Sequence, residues 1–177
     1  MRGSGNFLAA LIVISSYVPA WGQGQAPPSS RKPSDGVYAV LREGLKEKDV
    51  RPLKDNETLV VHRHRYLKKD AKEPPRFLVI RAVPDVALDL AGEPKAVKEG
   101  EEVVRILLKL QPQAATALER LTSDRLGKPI AIVVGGEVVT THKVRDVIKG
   151  GNVQITSCAA GAANYLLDQL HARQKNK

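Results

Sequence analysis

An apolar run, residues 130–134 (IAIVV), and a second strand-like run rich in Val and Thr, residues 137–141 (EVVTT), are joined by only Gly135 and Gly136. A two-residue link closes a tight turn between antiparallel strands when its residues take positive φ, which glycine does without steric cost. The segment is therefore a β-hairpin, and any fold for this chain must contain antiparallel sheet. With 42% hydrophobic residues the 177-residue chain can bury a core around that hairpin, which excludes a disordered tail. A single cysteine excludes an internal disulfide scaffold and a four-cysteine zinc site.

The elements around the hairpin follow from periodicity. Residues 103–110 (VVRILLKL) read as a strand. Pro112 then opens a helix with Ala114, Ala117, Leu118 and Leu121 on one face, ended by Gly127, Lys128 and Pro129. After the hairpin, Gly150, Gly151 and Asn152 make another turn. Residues 153–156 (VQIT) form the last strand, and a helix over residues 159–171 buries Ala163, Leu166, Leu167 and Leu170. This order predicts an α+β fold of ferredoxin-like type: a split βαβ sheet with two helices packed on one face. Ahead of it, residues 35–100 form a strand-rich N-terminal part, more charged and broken by prolines. Its strand candidates are residues 36–41, 58–67 and 76–83.

The first residues read as an address rather than a fold. Arg2 precedes an apolar run from Phe7 to Val18, followed by Pro19 and small residues, the layout of a secretory signal over residues 1–22. The run is shorter than the roughly 20 apolar residues of a membrane span, so an uncleaved N-terminal anchor is the alternative. Residues 23–34, rich in Pro, Ser and Gln, make a linker. The expected destination is the periplasm or the exterior, and the expected divisions are 1–22, 23–34, 35–100 and 101–172. Lys and Arg number 28 against 19 Asp and Glu, a net charge of +9. Removing the leader takes away only Arg2, so the basic excess belongs to the exported part.

The stretch from Glu102 to Leu170 resembles the head subdomain of the first periplasmic domain of SecD, a subunit of the bacterial SecDF preprotein translocase. The residues that carry the resemblance occur in the family's order and at similar spacing. They are Leu121 and Thr122, Gly127 and Lys128, Ala131, Ile132 and Val133, Gly136 in the hairpin turn, and Val138 and Val139. Ile148, Gly150 and Gly151 follow, then Ile155 and Thr156. The sequence departs from the family at Gly135, where Asp is usual, at His142, where Pro is usual, and at Ser157, where Gly is usual. These positions build turns and core rather than a reactive centre. The resemblance implies a non-catalytic role in protein export for a stand-alone head without the family's membrane-embedded, proton-driven part. Implied partners are exported or unfolded polypeptide, or components of the Sec translocase.

No enzymatic chemistry emerges from the remaining residues, and no catalytic, cofactor or metal site is expected. His62 and His64 share a strand face with Tyr66 and could supply two metal ligands. A third ligand is missing, and Arg63, Arg65, Lys68 and Lys69 repel cations, so a solvated polar face is the expectation. Cys158 follows an apolar strand and is expected to be buried. Glu99, Glu101 and Glu102 read as a solvated turn, and Gly150 with Gly151 lacks the Lys and Ser/Thr of a phosphate loop. Nucleic acid is not expected as a partner, because the basic stretch 62–69 holds a single Tyr, Phe or Trp, Tyr66. Contact with an anionic membrane surface or envelope polymer is the alternative to polypeptide binding.

Overall fold

The computed structural model describes residues 32–66, 73–99, 103–158 and 160–175. The expected leader, most of the linker, Lys68, Lys69, Glu101 and Glu102 lie outside these residues. The described strands are β1 (Gly36–Ala39), β2 (Arg42–Gly44), β3 (Glu57–His62), β4 (Arg76–Arg81), β5 (Val86–Ala87), β6 (Lys95–Glu99), β7 (Val103–Lys109), β8 (Pro129–Val134), β9 (Glu137–Lys143) and β10 (Asn152–Cys158). The helices are α1 (Pro112–Asp124) and α2 (Ala160–Lys175), and a 3-10 turn spans Glu47–Val50. The fold is α+β, with its strands in three antiparallel sheets ordered β5-β1-β8-β9, β10-β7-β6 and β2-β4-β3.

The β5-β1-β8-β9 sheet is central, and side-chain alternation shows why. Along β1 and β8, Val37, Ala39, Ile130, Ile132 and Val134 point to one face, into a core shared with α1, α2 and the β10-β7-β6 sheet. Tyr38, Val40, Ala131 and Val133 point to the other, against Val60, Leu78 and Ile80 of β3 and β4. Strands buried on both faces carry unbroken apolar runs, which accounts for the lack of alternation in IAIVV. The chain changes sheets within one residue. Val40 N–H donates to Pro129 O (3.2 Å), and Leu41 N–H donates to Val79 O in the outer sheet (2.8 Å).

β7 alternates as a half-buried strand should, with Val104, Ile106 and Leu108 inward. Ala114, Leu118 and Leu121 of α1 and Ala163, Leu166 and Leu170 of α2 close over the same core. Each fully buried leucine there contributes roughly 2 kcal/mol of apolar transfer.

The single split sheet of the ferredoxin-like expectation is not what the hydrogen bonds form. β7 and β10 pair with each other and with β6, whereas β8 and β9 take β1 as their neighbour. The N-terminal strand β1 occupies the flank of β8, so β8 has no edge left for β7 or β10. The sheets also cross the division drawn at residue 100, because β1 pairs with β8 and β6 pairs with β7.

Candidate functional site

Because β10 lies at the rim of its sheet, one side of it takes no partner strand among the described residues. Leu110 N–H donates to Gly151 O, and the ladder continues with Val153 opposite Leu108 and Ile155 opposite Ile106. In an antiparallel ladder alternate residues bond inward, so the backbone N–H and C=O of Asn152 and Gln154 point away from β7. Beside this open edge lies a groove of about 610 Å³. Its floor is Val37, Ile130 and Ile132 of the central sheet with Leu118 of α1, and Val153 comes from the edge itself. Val144 and Ile148 form the facing wall, and Lys143, Arg145 and Asp146 stand on the rim.

Several of the residues that carry the family resemblance fix that wall, the 144–151 segment. Thr122 is fully buried at the end of α1. Its hydroxyl donates to Leu118 O (2.8 Å) and accepts Ile148 N–H (3.0 Å). Gly127, at φ +75°, donates its N–H to Val144 O (2.8 Å), and Val144 N–H returns to Lys128 O (3.0 Å). At the far end Gly150 and Gly151 turn the chain at φ +70° and +68°. A Cβ on Gly151 would lie 2.5 Å from Ala115 Cβ, so only glycine fits between α1 and β10. Lys109 Nζ donates to Gly150 O (2.8 Å). Ile132 lines the floor and Ile148 the wall, while Leu121, Val139 and Ile155 lie in the adjoining core. Ala131 faces the β2-β4-β3 sheet, and Gly136 (φ +75°) sits in the hairpin turn against Lys32. The structure thus gathers the α1 end and the turn glycines around one segment and leaves Ala131 and Gly136 elsewhere.

A second cleft, of about 530 Å³, runs along the outer edge of β3 to the start of β9. Its charged walls are largely self-paired. Glu57 takes two hydrogen bonds from Arg42 (2.6 and 3.0 Å) and one from Lys54 N–H (3.0 Å), and the guanidinium holds its carboxyl below the usual range. Arg51 pairs with Glu47, and Arg65 with Glu137 (2.8 Å). Tyr66 also donates to Glu137 (2.8 Å) and stacks against Tyr165 of α2. Burial and this hydrogen bond push the Tyr66 phenol well above its ordinary range.

The expected solvated face at His62 and His64 is overturned. The strand ends at His62, His64 takes φ +51°, and the two rings are only 3% and 8% exposed. The reason is tertiary: this end of β3 packs against β9, where the Val139 backbone meets His62. The imidazoles lie against each other, centroids 4.1 Å apart and planes tilted by 41°. Among the described residues, no three potential ligands are grouped for a metal. The side chain of Cys158 lies outside the described residues.

What periodicity missed is the exposure of the β10 edge, because its cause is β1 occupying the flank of β8. The signal was the unbroken apolar run GVYAVL, which requires burial on both faces and therefore a central position.

The geometry defines an α+β domain in which the unpaired edge of β10 borders an apolar groove. The family model for the SecDF P1 head subdomain matches residues 72–172, more than half of the chain, and the chain belongs to that family. One similar solved structure is described as that of a membrane component SecDF that enhances protein export. It is 31% identical over 48% of this chain and 39% of that one, with a TM-score of 0.41. Another, SecDF in a super-membrane-facing form, is 28% identical over 46% of this chain and 11% of that one, with a TM-score of 0.40. The chain therefore spans less than half the length of either. No curated protein matches it. No helix among the described residues is long and apolar enough to cross a membrane.

Proposed function

We propose that this chain acts in protein export as a non-catalytic head domain that reversibly holds an extended segment of polypeptide. Membership of the SecDF P1 head family supports the export setting. The observation that carries the binding mode is the open edge of β10 bordering the apolar floor of Val37, Ile130 and Ile132. An incoming strand would pair with the outward backbone groups of Asn152 and Gln154, and every second side chain would enter the groove. Main-chain pairing is indifferent to sequence and the floor asks only for apolar groups, which suits a binder of many exported chains. The domain would work after residues 1–22 are removed, in the periplasm or outside the cell, with translocase components as its neighbours.

The test is binding of a labelled synthetic peptide with Val or Leu at alternate positions, followed by fluorescence anisotropy. Raising salt from ~50 to ~500 mM should change its Kd by less than about threefold, because strand pairing and apolar contact are little screened. Gln154→Pro removes an N–H that points away from β7, leaves the ladder intact, and should weaken binding about tenfold, or ~1.4 kcal/mol. Unchanged affinity in this variant contradicts the edge mode. Salt-sensitive binding to anionic phospholipid vesicles with no peptide binding would instead establish the surface-binding alternative.

A further inference from the structure

The His62 and His64 pair has no part in the β10 groove, yet it sits where the N-terminal sheet meets the central one. Both residues are more than nine-tenths buried, and among the described residues no side chain hydrogen-bonds their four nitrogens, the Val139 backbone being the polar group His62 meets on β9. A buried imidazole without a charged partner is best accommodated while neutral, since charging it in place incurs a desolvation cost.

The charged surroundings offer little compensation. His62 faces His64 on its own segment, Arg76 of β4, Glu73 just before β4, and only the Val139 backbone from β9. Glu73 Oε2 lies 3.6 Å from His64 Nε2, beyond hydrogen-bond distance. A proton on His62 is opposed by burial, His64 and Arg76, which together outweigh the favourable effects of Glu73 and the Val139 backbone. Beyond the pair, the segment is held to β9 by Arg65 and Tyr66 on the single carboxylate of Glu137.

We infer that the buried His62 beside His64 forms an acid-opened latch: protonation of His62 drives the 62–66 segment off β9 and widens the cleft beside β3. Hydrating a newly charged ring moves this end of β3 and the irregular stretch after it towards water, against the packing of Tyr66 on Tyr165. The central sheet, buried on both faces, stays closed.

Burial, then the charges of His64 and Arg76, push the His62 imidazole down to about 4. An opened segment titrates near the ordinary histidine value of about 6.5. Between these values the open form binds a proton that the closed form does not. Opening is therefore favoured as pH falls, about tenfold per pH unit and about two orders of magnitude in all.

The test is hydrogen exchange of the full chain, corrected for the intrinsic pH dependence, followed by mass spectrometry. Peptides covering 57–66 should show an opening constant that rises about 100-fold between pH 6.5 and 4, while those covering 103–124 should not change. In H62F/H64F the rise in 57–66 should vanish. A rise of equal size in both regions, or one that persists in the double variant, overturns the latch. Should that variant fail to fold, NMR titration of His62 in the native chain decides. A ring that titrates near 6.5 with no coupled shift at Val139 contradicts the proposal, and one that titrates near 4 together with Val139 supports it.

Discussion

The two clefts of this molecule are similar in size, about 610 and 530 Å³, and each lies along a free strand edge, yet they are built differently. Beside β3, carboxylates and guanidiniums satisfy one another: Glu57 with Arg42, Glu47 with Arg51, Glu137 with Arg65. Beside β10 the floor is apolar, and rim residues Lys143 and Arg145 form no ion pair within the described part of the chain. An entering peptide would have to break charge-assisted hydrogen bonds at β3, whereas at β10 it covers apolar surface and pairs with open backbone. A strand edge is therefore not enough to make a binding site; what lies beside it decides.

Substitutions can separate the two clefts, and the largest effect is expected at Gly151. Gly151→Val imposes positive φ on a β-branched residue and drives its Cβ into Ala115. Urea unfolding should show a loss of about 3 kcal/mol, with peptide affinity lost as the 144–151 wall moves. Thr122→Val removes the acceptor of Ile148 N–H without changing side-chain shape. A loss of ~1–2 kcal/mol is expected, together with weaker peptide binding. Stability unchanged within about 0.3 kcal/mol would contradict the pinning role of that hydroxyl. At the β3 cleft, Glu137→Gln weakens the contacts to Arg65 and Tyr66 at a half-exposed site. Its cost should be at most about 1 kcal/mol, with peptide affinity at β10 untouched. If Glu137→Gln weakened peptide binding as much as Thr122→Val does, the distinction between the clefts would fail.

Much of the head was legible from residue order alone. The Gly135 and Gly136 hairpin, the helix opened at Pro112 and the strand ahead of it are set by local rules, and each stands within a few residues of the expected position. The neighbours of these elements were not legible. Whether β8 pairs with β1 or β10 depends on which distant strand packs better beside it, and local periodicity says nothing about that choice. For the same reason His62, His64 and Tyr66 read as polar on sequence, being flanked by arginines, although tertiary packing encloses all three. Thr122 and Ile148 were named only through the family's motif. Their role in bracing a groove wall depends on a contact across 26 residues.

The central claim is that an extended chain adds to β10, and the most direct measurement is residue-resolved amide exchange with and without the alternating peptide. The outward N–H groups of Asn152 and Gln154 should slow on binding. The outward groups on the free edge of β3, at Leu59 and Val61, should exchange as before. Protection at β3 with none at β10, or saturating peptide binding that protects neither, would contradict the account.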